Sequence, residues 1–337
     1  MTTISTRDKT KPLILIAAVA VGIAVQRLMG REVPWLLYVT EVGVFLVITA
    51  VMLPVEIRDV GRALRRVKPT IIALLVNFVF IPTFAWALGW LVLKNYPDFW
   101  AGALLYTLTP CIGWYLIFTD VAKGDVPWGI ALLPWNITLQ VLLLPLYAYI
   151  LIGSVLPIDI SALARSVVLF LVAPFVLSYA AQKFVIRAKG RDYFFGPFKS
   201  AMGEVKLWAL VIVIVSMFGS QRAIALSEVP TVGLLIAFLV LFFIVLFILA
   251  VAIGRGTGLR YEETVTLAFT TTARNSEAVI GVAVTAFPGH PLVYLAIILG
   301  PVVELPMLLL IARLMLKLRE VLWRTDRESA RRVAVTP

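Results

Sequence analysis

The sequence predicts an all-α integral membrane protein with ten transmembrane helices, on three observations. The chain is 61% hydrophobic and only 15% charged, and its mean hydropathy is +0.98, unlike any soluble globular class. Apolar runs of about 20 residues, enough to cross a bilayer core, recur along it. Between the runs, lysine and arginine crowd alternate loops.

The first span, 13–29, follows Arg7, Lys9 and Lys11, as a secretory signal would, but lacks a convincing small-residue cleavage site and reads as a membrane helix. The second, 35–54, ends at Pro54; the third, 71–93, follows Pro69 and holds Asn77. The fourth, 100–119, contains Thr109-Pro110-Cys111, where proline removes a backbone N–H and disfavours helix at Thr109. The fifth, 127–152, carries Pro134, Asn136, Gln140 and Pro145. The sixth and seventh are 163–186 and 204–220; Pro230 opens the eighth, 230–254. The ninth, 264–287, contains Thr270-Thr271-Thr272-Ala273-Arg274-Asn275-Ser276-Glu277, and the tenth, 292–317, contains Gly300-Pro301-Val302-Val303-Glu304-Leu305-Pro306.

Net charge is +11, yet the basic residues alternate between loops, from Arg58–Lys68 to Lys183–Lys206 and the tail. That bias places both termini in the cytoplasm of a cell inner (plasma) membrane protein and makes a nucleic-acid partner an unneeded assumption. One cysteine excludes a disulfide within the chain and a cysteine-rich metal cluster. No Gly-rich nucleotide loop, nucleophile–base pair or histidine cluster is visible, so the chain is read as no enzyme and no cofactor is expected. His290 reads as a solvated loop residue.

The spans divide into two halves of five, 1–157 and 158–317, followed by a short basic tail, 318–337. An odd number of helices per half inverts the second copy. Inverted repeats with Gly/Pro-interrupted helices at matching positions mark secondary transporters, whose sites lie at the midplane.

Polar groups at membrane depth are the candidate site. A helix broken at Pro110 exposes backbone N–H groups around Cys111, favouring the thiolate, the form that binds soft metals. Cys111 also reads as a small buried hydrophobe. Arg274 and Glu277, three apart, share a face if helical, so Glu277 reads either as an ion-pair partner of Arg274 or as a proton or cation carrier. Glu304 reads as a second acid or as a helix-to-helix hydrogen-bond partner. Asn136 and Gln140 read equally as packing groups or ligands. If the fourth and ninth spans are counterparts, Thr109-Pro110-Cys111 and Arg274-Asn275-Ser276-Glu277 approach where two broken helices cross.

The Cys111-Ile112-Gly113 helix, the Lys123-Gly124-Asp125 loop, the Asn136 span, the Glu277 helix and the Gly300–Pro306 run together resemble the arsenite permeases of the bile acid:sodium symporter superfamily. The resemblance implies ten helices in a panel and a core domain, with discontinuous helices that cross. It implies export of trivalent arsenic, sometimes antimonite, against proton entry. It matches the family's essential cysteine to Cys111 and its essential acid on the ninth helix to Glu277. Trivalent arsenic prefers sulfur, and one thiolate flanked by Thr109, Asn136, Asn275 and Ser276 permits capture weak enough to reverse. Cys111 is then the metalloid ligand, and Glu277, Arg274 and Glu304 form the ion-coupling set.

A rival reading is a sodium-coupled importer of organic anions, with Arg274 holding the anion. A sensor or scaffold is disfavoured because no sizeable soluble domain is present. The partners expected are a small metalloid oxyacid, protons or sodium, and membrane lipid.

Overall fold

The computed structural model describes residues 6–29, 35–53, 66–111, 114–156, 161, 165, 168–220 and 229–323. They are helical almost throughout, with no strand among the described residues. In chain order the helices are α1 (Thr6–Met29), α2 (Trp35–Met52), α3 (Val67–Leu93), α4 (Pro97–Thr107), α5 (Trp114–Val121) and α6 (Val126–Ile152). There follow α7 (Val168–Lys189), α8 (Lys199–Ser220), α9 (Val229–Gly256), α10 (Tyr261–Thr272), α11 (Ser276–Ala286) and α12 (Pro291–Leu322).

Proline sets several starts. Pro97, Pro127 and Pro291 stand in the first turns of α4, α6 and α12, where no intrahelical N–H is required. Asp125 completes the start of α6 by accepting the Trp128 N–H at 3.0 Å. Proline further inside a helix orphans the carbonyl four residues back. Pro82 does this to Phe78 of α3. The chain there opens into a π turn, Val76–Phe80, and the Tyr147 hydroxyl of α6 donates to the Phe78 carbonyl.

Among the described residues five helices are long and apolar enough to cross a membrane: α3, α6, α7, α9 (from Thr231) and α12. α1 and α2 contain shorter apolar stretches, Ala20–Met29 and Tyr38–Ala50. The expected fourth and ninth spans are each two short helices. α4 and α5, of 11 and 8 residues, rise about 16 and 12 Å, so only the pair approaches the ~30 Å of a hydrocarbon core. α12 continues to Leu322. The expected divide at 157/158 and residues 324–337 lie outside the described residues.

The helices sort into two packed groups. α8 lies along α1 and α2, and α7 along α2. In the second group α4 packs on α3 and α12, α9 on α3, α10 and α12, and α5 on α10. α11 touches both α12 and α2. Phe238, Phe242 and Phe243 of α9 fill the interior beside Leu104 and Tyr106 of α4, while Trp90, Leu91, Leu142 and Ile248 stay exposed as lipid-facing positions. The approach of α4 to α12 depends on two glycines. A Cβ on Gly102 would lie 2.4 Å from the Val293 carbonyl oxygen, and one on Gly300 would lie 2.3 Å from the Tyr106 ring.

Charges tie the loop before α6 to the start of α10. Arg66 pairs with Asp125 and lies 3.0 Å from Glu263; Arg260 lies 3.0 Å from Glu263 and 3.6 Å from Asp125. Arg319 of α12 adds Glu262 at 3.3 Å. At the N-terminal end of α4, His290 is not merely solvated: its Nδ1 lies 3.0 Å from an Asp98 oxygen.

Candidate functional site at a crossing of broken helices

The two interruptions meet. Between α4 and α5, Cys111 donates its N–H to the Ala273 carbonyl at 3.0 Å; between α10 and α11, Asn275 donates its N–H to the Thr109 carbonyl at 2.9 Å. Pro110 and Arg274 face each other as an antiparallel bridge inside this pair of bonds. In such a pair the two central residues need no N–H of their own. Proline is therefore tolerated at 110, and the Arg274 N–H is available elsewhere. The Thr109 hydroxyl lies 3.2 Å from the Tyr106 carbonyl, which Pro110 leaves without its helical donor, and 3.0 Å from the Asn275 carbonyl. The Cys111 N–H expected to be exposed is instead consumed by Ala273.

Arg274 is 2% exposed and lies in the break, not on a helical face with Glu277. Ala273 before it is extended (φ −71°, ψ 135°), and helix resumes only at Ser276. The side chain of Glu277, and with it the possible ion pair, lies outside the described residues; Arg274 itself is held by contacts within them. Its guanidinium donates to the Thr107 carbonyl at 3.1 Å, to the Thr270 and Thr272 carbonyls at 3.3 and 3.4 Å, and to the Thr271 carbonyl. It also donates to Asn77 Oδ1 at 3.1 Å, presented by the π turn of α3. The Phe242 ring lies 6.0 Å away, at the reach of a cation–π contact.

Glu304 of α12 is 2% exposed at the same crossing. One oxygen accepts the Arg274 backbone N–H at 3.1 Å, and the other accepts the Tyr106 hydroxyl. Glu304 thus bonds to both interrupted segments. Asn275 caps α11 by accepting the Ala278 N–H at 3.2 Å. Asn136 donates to the Thr270 hydroxyl at 3.1 Å. Besides Gln26 Oε1 of α1, four buried amide atoms among the described residues lack a hydrogen-bond partner: Asn77 Nδ2, Asn275 Nδ2, Asn136 Oδ1 and Gln140 Oε1.

Cys111 is 5% exposed, packed in an apolar shell with Tyr115, Phe118, Leu133, Phe269 and Leu308. A cleft of about 60 Å³ opens at the crossing, lined among others by Trp114, Lys206, Leu210, Arg274, Ser276 and Glu304. It lies between the two helix groups, since Lys206 and Leu210 belong to α8. The structure therefore gathers Thr109, Arg274, Asn275 and Glu304, puts Ser276 on the cleft, holds Asn136 beside the end of α10, and keeps Cys111 in the apolar shell rather than on the cleft lining. Sequence reasoning passed over Tyr106 and Lys206. The signal for Tyr106 was its place one turn before Pro110; for Lys206 it was a lone cation inside the first turn of an apolar run.

Residues 41–228, more than half of the chain, match the sodium bile acid symporter family. The chain belongs to that family. It is therefore a multi-pass membrane transporter of a small molecule, not an enzyme, and the resemblance drawn from its motifs holds at family level. It is similar to an arsenical-resistance protein, Acr3, of Corynebacterium glutamicum, at 27% identity covering 96% of this chain and 92% of the relative. A second Acr3, of Alkaliphilus metalliredigens, is 24% identical over 80% of this chain and 79% of its own. YbaS of Bacillus subtilis, an uncharacterised family relative, is 28% identical over 83% and 88%.

Proposed function

We propose that this transporter exports trivalent arsenic from the cytoplasm, driven by proton entry. The observation that carries the reading is the crossing itself: the lone cysteine is bonded through its backbone to a segment that also holds a buried cation and touches a buried acid. Two relatives named for arsenical resistance, matched over most of their length, support the cargo.

In this reading the metalloid trihydroxide enters the cleft from the cytoplasmic side. The Cys111 thiol exchanges for one hydroxyl: a sulfur–arsenic bond forms, an arsenic–oxygen bond breaks, and the thiol proton leaves with the hydroxide as water. The amide atoms left without a partner, Asn136 Oδ1, Gln140 Oε1 and Asn275 Nδ2, supply hydrogen bonds for the remaining hydroxyls. Movement of the α1, α2, α7 and α8 group against the rest exposes the cargo outward, where water cleaves the sulfur–arsenic bond, its hydroxyl going to arsenic and its proton to sulfur, so that the trihydroxide leaves and the thiol is restored. A proton on Glu304 or Glu277 then accompanies the return. Glu304 suits the part because protonation converts an oxygen that accepts from Tyr106 or Arg274 into a donor, loosening the crossing. Both termini lie in the cytoplasm, and the broken segments α4–α5 and α10–α11 are counterparts in two inverted halves, 1–157 and 158–317.

The experiment is metalloid export from everted vesicles, with proton and sodium gradients varied separately. Export that follows the proton gradient and is lost in Cys111→Ser, at unchanged protein level, is the expected result. Full export by Cys111→Ser removes the thiol from the mechanism. A second reading, sodium-coupled uptake of an organic anion, is favoured by Lys206 on the cleft wall. It predicts uptake that tracks sodium.

A further inference from the structure

The ends of α4 and α10 converge inside the membrane, and helix ends are electrostatically awkward there. The last carbonyls of each helix have no intrahelical donor and carry its partial negative charge. In hydrocarbon each such group is expensive unless paired. Two of these ends face one another at the crossing, with the amide oxygen of Asn77 beside them. The result is a cage of five oxygens: the carbonyls of Thr107, Thr270, Thr271 and Thr272 and Asn77 Oδ1. An oxygen cage at the C-terminal ends of two half-helices has the chemistry that binds a small hard cation in a broken-helix transporter.

Here the cage is filled from within the chain. All three guanidinium nitrogens of Arg274 donate into it, and the Phe242 ring lies alongside. Arginine carries its charge at every physiological pH, and its forked donors answer several carbonyls at once, which a lysine ammonium would not. The carboxylate of Glu304, bonded to the backbone N–H of the same residue, supplies the neutralising charge.

We infer that Arg274 is a tethered substitute for a transported monovalent cation, a specificity-determining residue that makes this crossing independent of sodium. With its nitrogens committed to helix-end carbonyls, Arg274 is also a poor ligand for an anionic cargo. The inference deepens the proton-coupled reading of the site. Its decisive test is binding, which stands whether or not arsenite is the cargo.

The test compares thermal unfolding of the purified full chain in detergent, in sodium chloride and in choline chloride at equal concentration, for the wild type and for Arg274→Ala and Arg274→Gln. The wild type is expected to unfold at the same temperature in both salts. The two variants, with the cage vacated, are expected to gain roughly 3 °C or more in sodium, as for any ligand that binds only the folded state. A wild type stabilised by sodium over choline overturns the inference. So do variants that unfold alike in both salts, or variants that fail to accumulate folded even when grown and purified in sodium. A parallel vesicle assay with arsenite reads the cargo separately: loss of arsenite export with the unfolding pattern intact sinks the proposed function and leaves this inference standing.

Discussion

Tyr106 and Glu304 show how a single contact ties two elements in a place where water does not compete. The Tyr106 hydroxyl donates to a carboxylate that is 2% exposed. Tyr106→Phe removes that donor without changing shape and leaves a charged acceptor short of a partner. The expected loss is roughly 1–3 kcal/mol of stability, measured as a lower midpoint of unfolding in detergent. The sequence named Glu304 and Arg274 correctly as polar groups in costly surroundings. It could not name Tyr106, because a tyrosine in an apolar run carries no sign of where its hydroxyl points. It also set Arg274 and Glu277 on one helical face. Arg274 lies instead in the break, after an extended Ala273, and turns to the carbonyls that the break releases. At Cys111 the proline located the interruption, and the assumed correspondence of the fourth and ninth spans named the segment that crosses it, but not the backbone bonds that join the two.

Among elements, α4 and α12 come together through Gly102 and Gly300, and the second glycine leaves room for the tyrosine ring. Gly300→Ala is expected to displace Tyr106 and destabilise the protein by about 1–3 kcal/mol, as overpacking of a tight contact does. If unfolding is unchanged, the two helices are not held at this contact. The element pattern was legible where hydropathy alone decides it. The apolar runs that became α3, α6, α7, α9 and α12 were each placed within a few residues, apart from the C-terminal end of α12. The start of α12 at Pro291 and the break at Pro110 were readable from proline. The break at Ala273-Arg274-Asn275 contains neither proline nor glycine. It forms because Cys111 and Thr109 of the other segment offer backbone bonds there, information that lies 160 residues or so away in the chain.

At the scale of the whole molecule, the ends of the second helix group are held by charge. Glu263 is lowered from the usual carboxylate range: burial pushes it up, but the hydrogen bonds and charge of Arg260, with Arg66 beyond, outweigh that. A carboxyl held below its unfolded value stabilises the fold above that value and stops doing so as pH falls through its folded one. The ties of Glu263 to Arg66 and Arg260 are therefore expected to be intact above pH 4.5 and to loosen as pH falls through the lowered Glu263 value beneath it. Proteolysis of the loops around Asp125 and Arg260, followed across pH, checks this. Protection that persists unchanged at pH 3 dismisses the carboxyl. One property of the chain has an experimental use of its own. Nature has supplied a single sulfhydryl, buried in an apolar shell beside the crossing. The unaltered polypeptide is thus already a single-probe specimen. A membrane-impermeant maleimide offered from one face and then the other will report from which side, and how fast, that sulfur becomes reachable, with no background of competing thiols to subtract.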